Sequence, residues 1–499
     1  TATTDIYTLT QHDALPICLG LPALRTPSPA AGRRNVLFIA VDDLKPYLGC
    51  YGHAPAITPH IDRLAARGLT FTRAYCQQAV CSPSRTSLLT GRRPDTTRVC
   101  DLQTHFRGTI PDAVTLPEQF KRHGYATTGF SKIFHGGLDD ARSWSIPSWT
   151  PSGPPWGSPR NAARAERLEA SLAGRNWRGD PVPPQGEEDR KRRGPSWSSP
   201  DVADNELPDG KTADAVVAAL AEMRGKPFFL AAGFHKPHLP FTAPKRYFDL
   251  YRDTRFTPAA NPFPPKGAPS FALHNSGELR AYLDIAPEGP IPEEKALELI
   301  RAYYAATSYA DAQIGKVLDA LDHQGLRDNT VVILWGDHGY HLGDHGLWNK
   351  HSTYEQATRV PLILSVPGQR TAGRKTAALA EFVDIYPTLC DLCGVPLAEG
   401  LEGASLAPLL ADPGRPWKRA AFSQYPRRIP GVGPGMGRSI RTARHRLTEW
   451  TVPGKDFRAL ELYDYESDPA EDVNLAAMPG HAALVRRLTA WLHAGWRAA

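Results

Sequence analysis

The run Asn35-Val-Leu-Phe-Ile-Ala-Val-Asp-Asp43 decides the fold of this chain. Its residues 35–41 carry no charge and are mostly branched or aromatic. That pattern predicts a strand buried on both faces, as strands of parallel sheets are. The strand stops at two adjacent carboxylates, Asp42 and Asp43. Further strands are expected at Tyr125–Phe130, Pro227–Ala232, Thr330–Trp335 and Val360–Val366. Helical periodicity falls between them, at Thr58–Arg67, Leu116–His123, Lys211–Arg224 and Glu293–Gln324. Strands alternating with helices imply an α/β fold, a mostly parallel sheet sandwiched by helices. In such sheets ligands bind beyond the carboxyl ends of the strands.

Beyond Gly403 the pattern shortens to strand-like pieces at Ala420–Tyr425, Arg438–Thr442, Arg446–Thr451 and Leu460–Tyr465, then a terminal helix from about His481. This predicts a smaller α+β subdomain over residues 413–499, with the main α/β domain over 35–412. Residues 1–34 begin with Thr and contain no charged segment leading into a clean apolar run, so they read as a non-native or truncated leader without structure. Residues 143–210 and 255–292, rich in Pro and without period, read as surface excursions of the main domain.

Composition narrows the function. The 499 residues are 41% apolar, which is ample for a core and excludes wholesale disorder. The apolar run Ala215–Ala221 is far too short to span a bilayer. A net charge of +6, from 58 Lys+Arg against 52 Asp+Glu, leans toward anionic partners without forming a nucleic-acid stripe. Seven cysteines are too few for a disulfide scaffold and odd in number, so at least one thiol is left over or chemically used. The pair Cys390 and Cys393 has redox-like spacing but lies in an amphipathic segment that ordinary helix packing explains.

The strand ends carry the chemistry. Asp42/Asp43, Lys132/His135, His235/His238 and Asp337/His338 each follow a strand, so all converge on one rim. Cys81-Ser-Pro-Ser-Arg85 reads as a helix start with Ser82 as cap and Pro83 in the first turn. A thiol at a helix N-terminus is expected to be acidified. The acids with His338 suit Ca²⁺ or Mg²⁺ better than Zn²⁺. His341 and His345, four apart, offer a zinc alternative that their glycine-rich context disfavours. Lys350 completes the rim cations.

Cys81-x-Pro-x-Arg85 followed by Thr86-Ser-Leu-Leu-Thr-Gly91 resembles the activation motif of the type I, formylglycine-dependent sulfatases, whose fold is alkaline-phosphatase-like. The likeness extends over most of residues 35–475. Within the family it runs nearest the iduronate-2-sulfatase group, through Asn35–Gly52, Gln77–Arg98, Gly233–Pro240 and Ser423–Arg427.

The resemblance implies that Cys81 is oxidised to Cα-formylglycine by a formylglycine-generating or sulfatase-maturating enzyme. It implies Ca²⁺ held by Asp42, Asp43, Asp337, His338 and the modified residue 81. Arg85 is then expected to steady that residue, with Lys132 and His135 beside its hydroxyls. His235 and Lys350 are expected to hold the sulfate ester, one of them protonating the leaving alcohol. In that scheme one hydroxyl of the hydrated aldehyde attacks sulfur, and the other, deprotonated by a base such as His135, expels sulfate. The implied substrate is a sulfated carbohydrate, a 2-O-sulfated uronic acid of glycosaminoglycans. Arg427 and Arg428 are candidates to pair with its carboxylate. A periplasmic or secreted location is implied too, with no membrane span and no nucleic-acid partner. Two other readings stand beside this one: a hydrolase for choline sulfate, other sugar sulfates or phosphonate and phosphate monoesters, and an inactive glycan-binding homologue.

Overall fold

The computed structural model describes residues 33–151 and 194–498. The leader over residues 1–32, with Cys18, and most of the expected excursion at 143–210 lie outside the described residues.

The opening strand β1 (Asn35–Val41) is buried throughout. It sits at the centre of a sheet with β2 (Leu69–Tyr75), β3 (Ala126–Ser131), β4 (Phe228–Phe234), β5 (Thr330–Gly336), β6 (Arg359–Ser365) and β7 (Lys375–Thr376). The spatial order is β7-β2-β6-β5-β1-β4-β3, and β8 (Ala380–Glu381) also pairs with β2. All pairings are parallel except those of β6, which runs antiparallel to both β2 and β5. No long helix lies between β5 and β6 to carry the chain back to the far edge. The chain therefore re-enters the sheet from the end where β5 left it, and an antiparallel strand results.

Alternation along β1 makes the sandwich. Val36, Phe38 and Ala40 join a core built with α2 (Cys81–Thr90), α3 (Leu116–Arg122) and α6 (Ile385–Cys393), through Leu88, Phe120 and Leu389. Leu37, Ile39 and Val41 face the other way, onto α1 (Pro59–Arg67), α4 (Pro208–Glu222) and α5 (Glu293–His323), through Leu64, Val216 and Val317. Each such fully buried side chain stabilises the fold by ~1.5–3 kcal/mol relative to an exposed one, so β1 anchors both layers.

At the C-terminal end, β9 (Ala420–Ile429), β10 (Gly433–Thr442), β11 (His445–Thr451) and β12 (Arg458–Asp464) form a separate antiparallel meander. Helix α7 (Ala482–Ala494) covers it with Val485, Leu488 and Leu492. The two sheets are riveted by Glu355, just before β6. Its carboxylate accepts hydrogen bonds from Tyr75 Oη (2.9 Å), Arg441 Nε (3.1 Å) and Arg446 Nη2 (2.6 Å).

Three expectations need adjustment. Strand β2 goes unpredicted, because its Leu-Thr-Phe-Thr-Arg-Ala-Tyr run mixes polar and apolar residues near the sheet edge. Helix α4 starts at Pro208 rather than Lys211. The stretch 255–292 is more than surface chain: its Leu279, Tyr282 and Ile285 are buried against α5. No helix among the described residues is long and apolar enough to cross a membrane.

Candidate active site

Strands β1, β3, β4 and β5 all end at one rim, and α2 begins there. The strand ends deliver Asp42 and Asp43, Lys132 and His135, His235 and His238, and Asp337 and His338 to a common centre. Asp43 adopts a left-handed backbone conformation at φ 57°. Its N–H donates to Asp337 Oδ1 (3.1 Å), and Tyr303 Oη donates to its carbonyl (2.7 Å). These contacts over-determine a turn that a branched residue would resist.

Cys81 is the first helical residue of α2. The cap position falls on Val80, so Ser82 lies inside the first turn instead of capping it, with Pro83 in that turn as expected. The Cys81 Sγ lies 3.5 Å from Asp42 Oδ1, 3.3 Å from His338 Nε2 and 3.9 Å from Lys132 Nζ. The expected acidification does not occur. Burial, and then the neighbouring Asp42, push the thiol well above its ordinary range, outweighing Lys132 and Lys350. The residue is 2% exposed, so desolvation outruns the helix dipole.

Arg85, one turn further along α2, is fully buried. It donates to Asp337 Oδ2 (2.9 Å), to Asp42 Oδ1 (3.3 Å) and to the carbonyls of Lys132 and Ile133. One guanidinium thus fixes three strand ends around Cys81. Lys132 Nζ donates to Asp42. Lys350 Nζ reaches both Asp43 oxygens (3.0 and 3.1 Å) and Glu278 Oε1 (2.8 Å), and those carboxylates hold it cationic against a burial that favours the neutral amine.

Two of the rim histidines, His135 and His235, are held neutral. Burial, then Lys132, lowers His135 to about 3, and its buried Nδ1 has no hydrogen-bond partner. His235 is pushed well down by burial and Lys132. Its Nδ1 lies 3.2 Å from Ser131 Oγ, while Asp209 accepts the backbone N–H groups of His235 (2.9 Å) and Lys236 (2.8 Å).

Asp42, Cys81, Asp337 and His338 each place a donor atom within 4.8 Å of the others, and Asp43, Cys81 and His238 form an overlapping group. Burial raises Asp42, but Lys132, His238 and Arg85 overcome it and hold the carboxyl well below its usual range. Asp337 moves the other way, pushed up by burial and by Asp42. Carboxylates crowded in this way are relieved by a cation. The three carboxylates of the two groups fit a hard divalent ion. His341 and His345 belong to neither group, and His341 Nε2 is engaged with Ser352 Oγ (2.9 Å).

Glu278 escapes sequence reasoning. It meets Lys350, His238 Nε2 (3.2 Å) and His351 Nε2 (3.1 Å). Nothing in the aperiodic 255–292 stretch singles it out, since Asp284 and Glu288 stand there as well. Arg427 is 4% exposed and donates to the carbonyls of His351 and Ala272 (3.4 Å), whereas Arg428 is exposed. Cys390 and Cys393 are free thiols on α6.

This fold and rim define a sulfatase. The sulfatase family model matches residues 34–395, and the chain belongs to that family of sulfuric ester hydrolases. A second model, for the C-terminal part of N-sulphoglucosamine sulphohydrolase, matches residues 343–496. Iduronate 2-sulfatase of Mus musculus is 34% identical, over 94% of this chain and 96% of that protein. The Homo sapiens iduronate 2-sulfatase is also 34% identical, over 92% of this chain and 94% of its own length. A structure solved with D-glucosamine-2-N,6-O-disulfate superposes with a TM-score of 0.73 at 23% identity, covering 93% of this chain and 98% of that one, which shows the shared fold. The family works with a formylglycine and a metal ion in general, and the Asp42, Cys81, Asp337, His338 group is a possible place for the ion.

Proposed function

We propose that this protein removes the 2-O-sulfate from a terminal uronic acid of glycosaminoglycans, with residue 81 as formylglycine and Ca²⁺ on Asp42, Asp43, Asp337, His338 and residue 81. The observation that carries this reading is 34% identity to iduronate 2-sulfatases over nearly the whole chain. The likeness thus includes the C-terminal sheet as well as the motifs around residue 81. An exported, periplasmic or secreted location and a maturation enzyme acting on Cys81 belong to the same proposal.

When present, the hydrated aldehyde supplies the attacking hydroxyl and the cation draws charge from the sulfate oxygens. The chain's own groups do the rest. Arg85 fixes the start of α2 against Asp42 and Asp337, so residue 81 faces the rim. Lys132 and Lys350 place cations where a sulfate monoester spreads negative charge. In this proposal His135, whose buried Nδ1 is unengaged, is the group that takes the proton from a hydroxyl at residue 81. His235, neutral beside Ser131, can hold the ester, and Lys350, kept cationic by Asp43 and Glu278, is the group that carries a proton to give to the leaving alcohol.

Mass spectrometry of the peptide carrying residue 81 tests the nucleophile, and Cys81→Ala should abolish turnover while leaving the fold intact. A substrate panel tests the specificity. A terminal 2-O-sulfated uronate should exceed a 6-sulfated hexosamine or choline sulfate by about 10² or more in kcat/KM. Equal values would leave a sulfatase and overturn the uronate assignment.

A further inference from the structure

On the side of the molecule where β7 closes the main sheet, a cavity of about 800 Å³ opens between the two sheets. It shares no residue with the catalytic rim. Its walls are Arg73 of β2, the edge strand β7, the segment Pro413–Arg419, the turn between β10 and β11, and Trp491 of α7. The volume lies in the range of ligand-binding clefts.

The charge of this cavity is one-sided. Arg73, Arg374, Lys375 and Arg415 line it, and none has an ion pair or side-chain hydrogen bond among the described residues. Three more cations join them from engaged positions. Lys418 is held by Glu381 (3.0 Å) and Asp384 (2.5 Å), Arg444 by Asp464 (2.7 Å), and Arg419 lies 4.9 Å from the Trp491 ring. No acidic side chain lines the cavity. Lysine and arginine on a sheet edge also discourage strand addition. That role explains β7 but not the cations that converge from β2, the 413–419 segment and the 442–444 turn.

The walls offer more than charge. Trp417 and Trp491 line the cavity, and the indole N–H of each is buried without an acceptor. Cations and aromatic walls together suit a chain of sugars bearing sulfate and carboxylate groups.

We propose that this cavity is a second binding site, an exosite for polysulfated glycan chains. The identity of the occupant rests on the sulfatase reading above, since the same molecule handles sulfated carbohydrate at its rim. A nucleic acid would call for cations drawn out along an exposed face, whereas these gather around one concavity.

The test uses the full-length protein and an end-labelled heparin octasaccharide, followed by fluorescence anisotropy across a salt series. The variant is Arg374→Glu with Arg415→Glu, two exposed residues whose reversal breaks no existing ion pair. Affinity should fall by about tenfold or more, and the slope of log Kd against log salt should flatten by about 2. Hydrolysis of 4-nitrocatechol sulfate should be unchanged. An octasaccharide that binds both proteins equally, or fails to bind the parent protein, overturns the exosite. So does a loss of affinity accompanied by loss of small-ester turnover, which would report damage to the fold. Single-stranded DNA of matched charge that binds as tightly and is weakened as much would show a general polyanion surface and overturn the glycan assignment. If no glycan sulfate is hydrolysed, the proposed substrate fails instead, and octasaccharide binding still reads the exosite separately.

Discussion

Gly233→Ala should damage catalysis without touching a catalytic side chain. Gly233 sits in β4 in register with Ser131 of β3, directly behind Lys132. A methyl group there would lie 2.8 Å from Lys132 N and 2.5 Å from its carbonyl carbon, against an ordinary contact of 3.4 Å or more. Relief requires about 0.9 Å of backbone movement in a close-packed interior. The atoms in the way are main chain, so no rotamer change can help. The Lys132 carbonyl receives Arg85, and the Lys132 ammonium holds Asp42, so displacement travels to both sides of residue 81. Overpacking of this kind costs about 1–3 kcal/mol of stability. A ~1 Å misplacement of positioning groups costs about 10²-fold in rate. Chromogenic ester kinetics with matured protein, alongside chemical denaturation, would read both. Gly136→Ala is the control, since it lies in the same segment with open space around it. Gly233→Ala with kcat/KM within about twofold of the parent would refute the claim that the Lys132 backbone sets the site.

Chelation of active enzyme should lower both turnover and thermal stability, because Asp42 and Asp337 are then left crowded, and Ca²⁺ should restore both. Stoichiometric zinc with neither Ca²⁺ nor Mg²⁺ in active enzyme would contradict the metal assignment. The Glu355 rivet predicts an acid limb. Burial opposes its charge, but Arg441 and Arg446 hold its carboxyl at about 2, below the ordinary 4.5. A lowered folded-state value gives stability that is full above pH 4.5 and drains away as pH falls toward 2, worth about 3 kcal/mol. Glu355→Gln should remove that amount at neutral pH and flatten the acid unfolding curve, and superimposable curves would disprove it.

The sequence made the sheet legible because its central strands are buried on both faces and therefore read as uninterrupted apolar runs. The same property hid the edge. In β2, Thr72 and Arg73 sit half-buried, and the run loses both its period and its apolar character. The rim was legible for a different reason: acids, lysines and histidines that follow apolar runs must lie at the ends of strands. Glu278 had no such marker, since it reaches Lys350 from a one-turn helix (Gly277–Arg280) more than seventy positions away. The Cys81 environment misled in one respect, since helix geometry is visible in a sequence while the depth of burial that reverses the thiol's acidity is not.

The contacts of His351 have a bearing on how such proteins can be recombined. Its Nδ1 meets Tyr425 of the C-terminal sheet at 2.7 Å, its carbonyl takes Arg427 from the same strand, and its Nε2 meets Glu278, which in turn grips Lys350. The rim lysine is therefore braced by a strand some seventy-five positions downstream. A chimera that joined residues 35–412 of this chain to a relative's C-terminal sheet would keep every rim residue and still inherit a mis-set Lys350. The two sheets behave as one heritable unit, and a graft between relatives succeeds only when Tyr425 and Arg427 travel with His351 and Glu278.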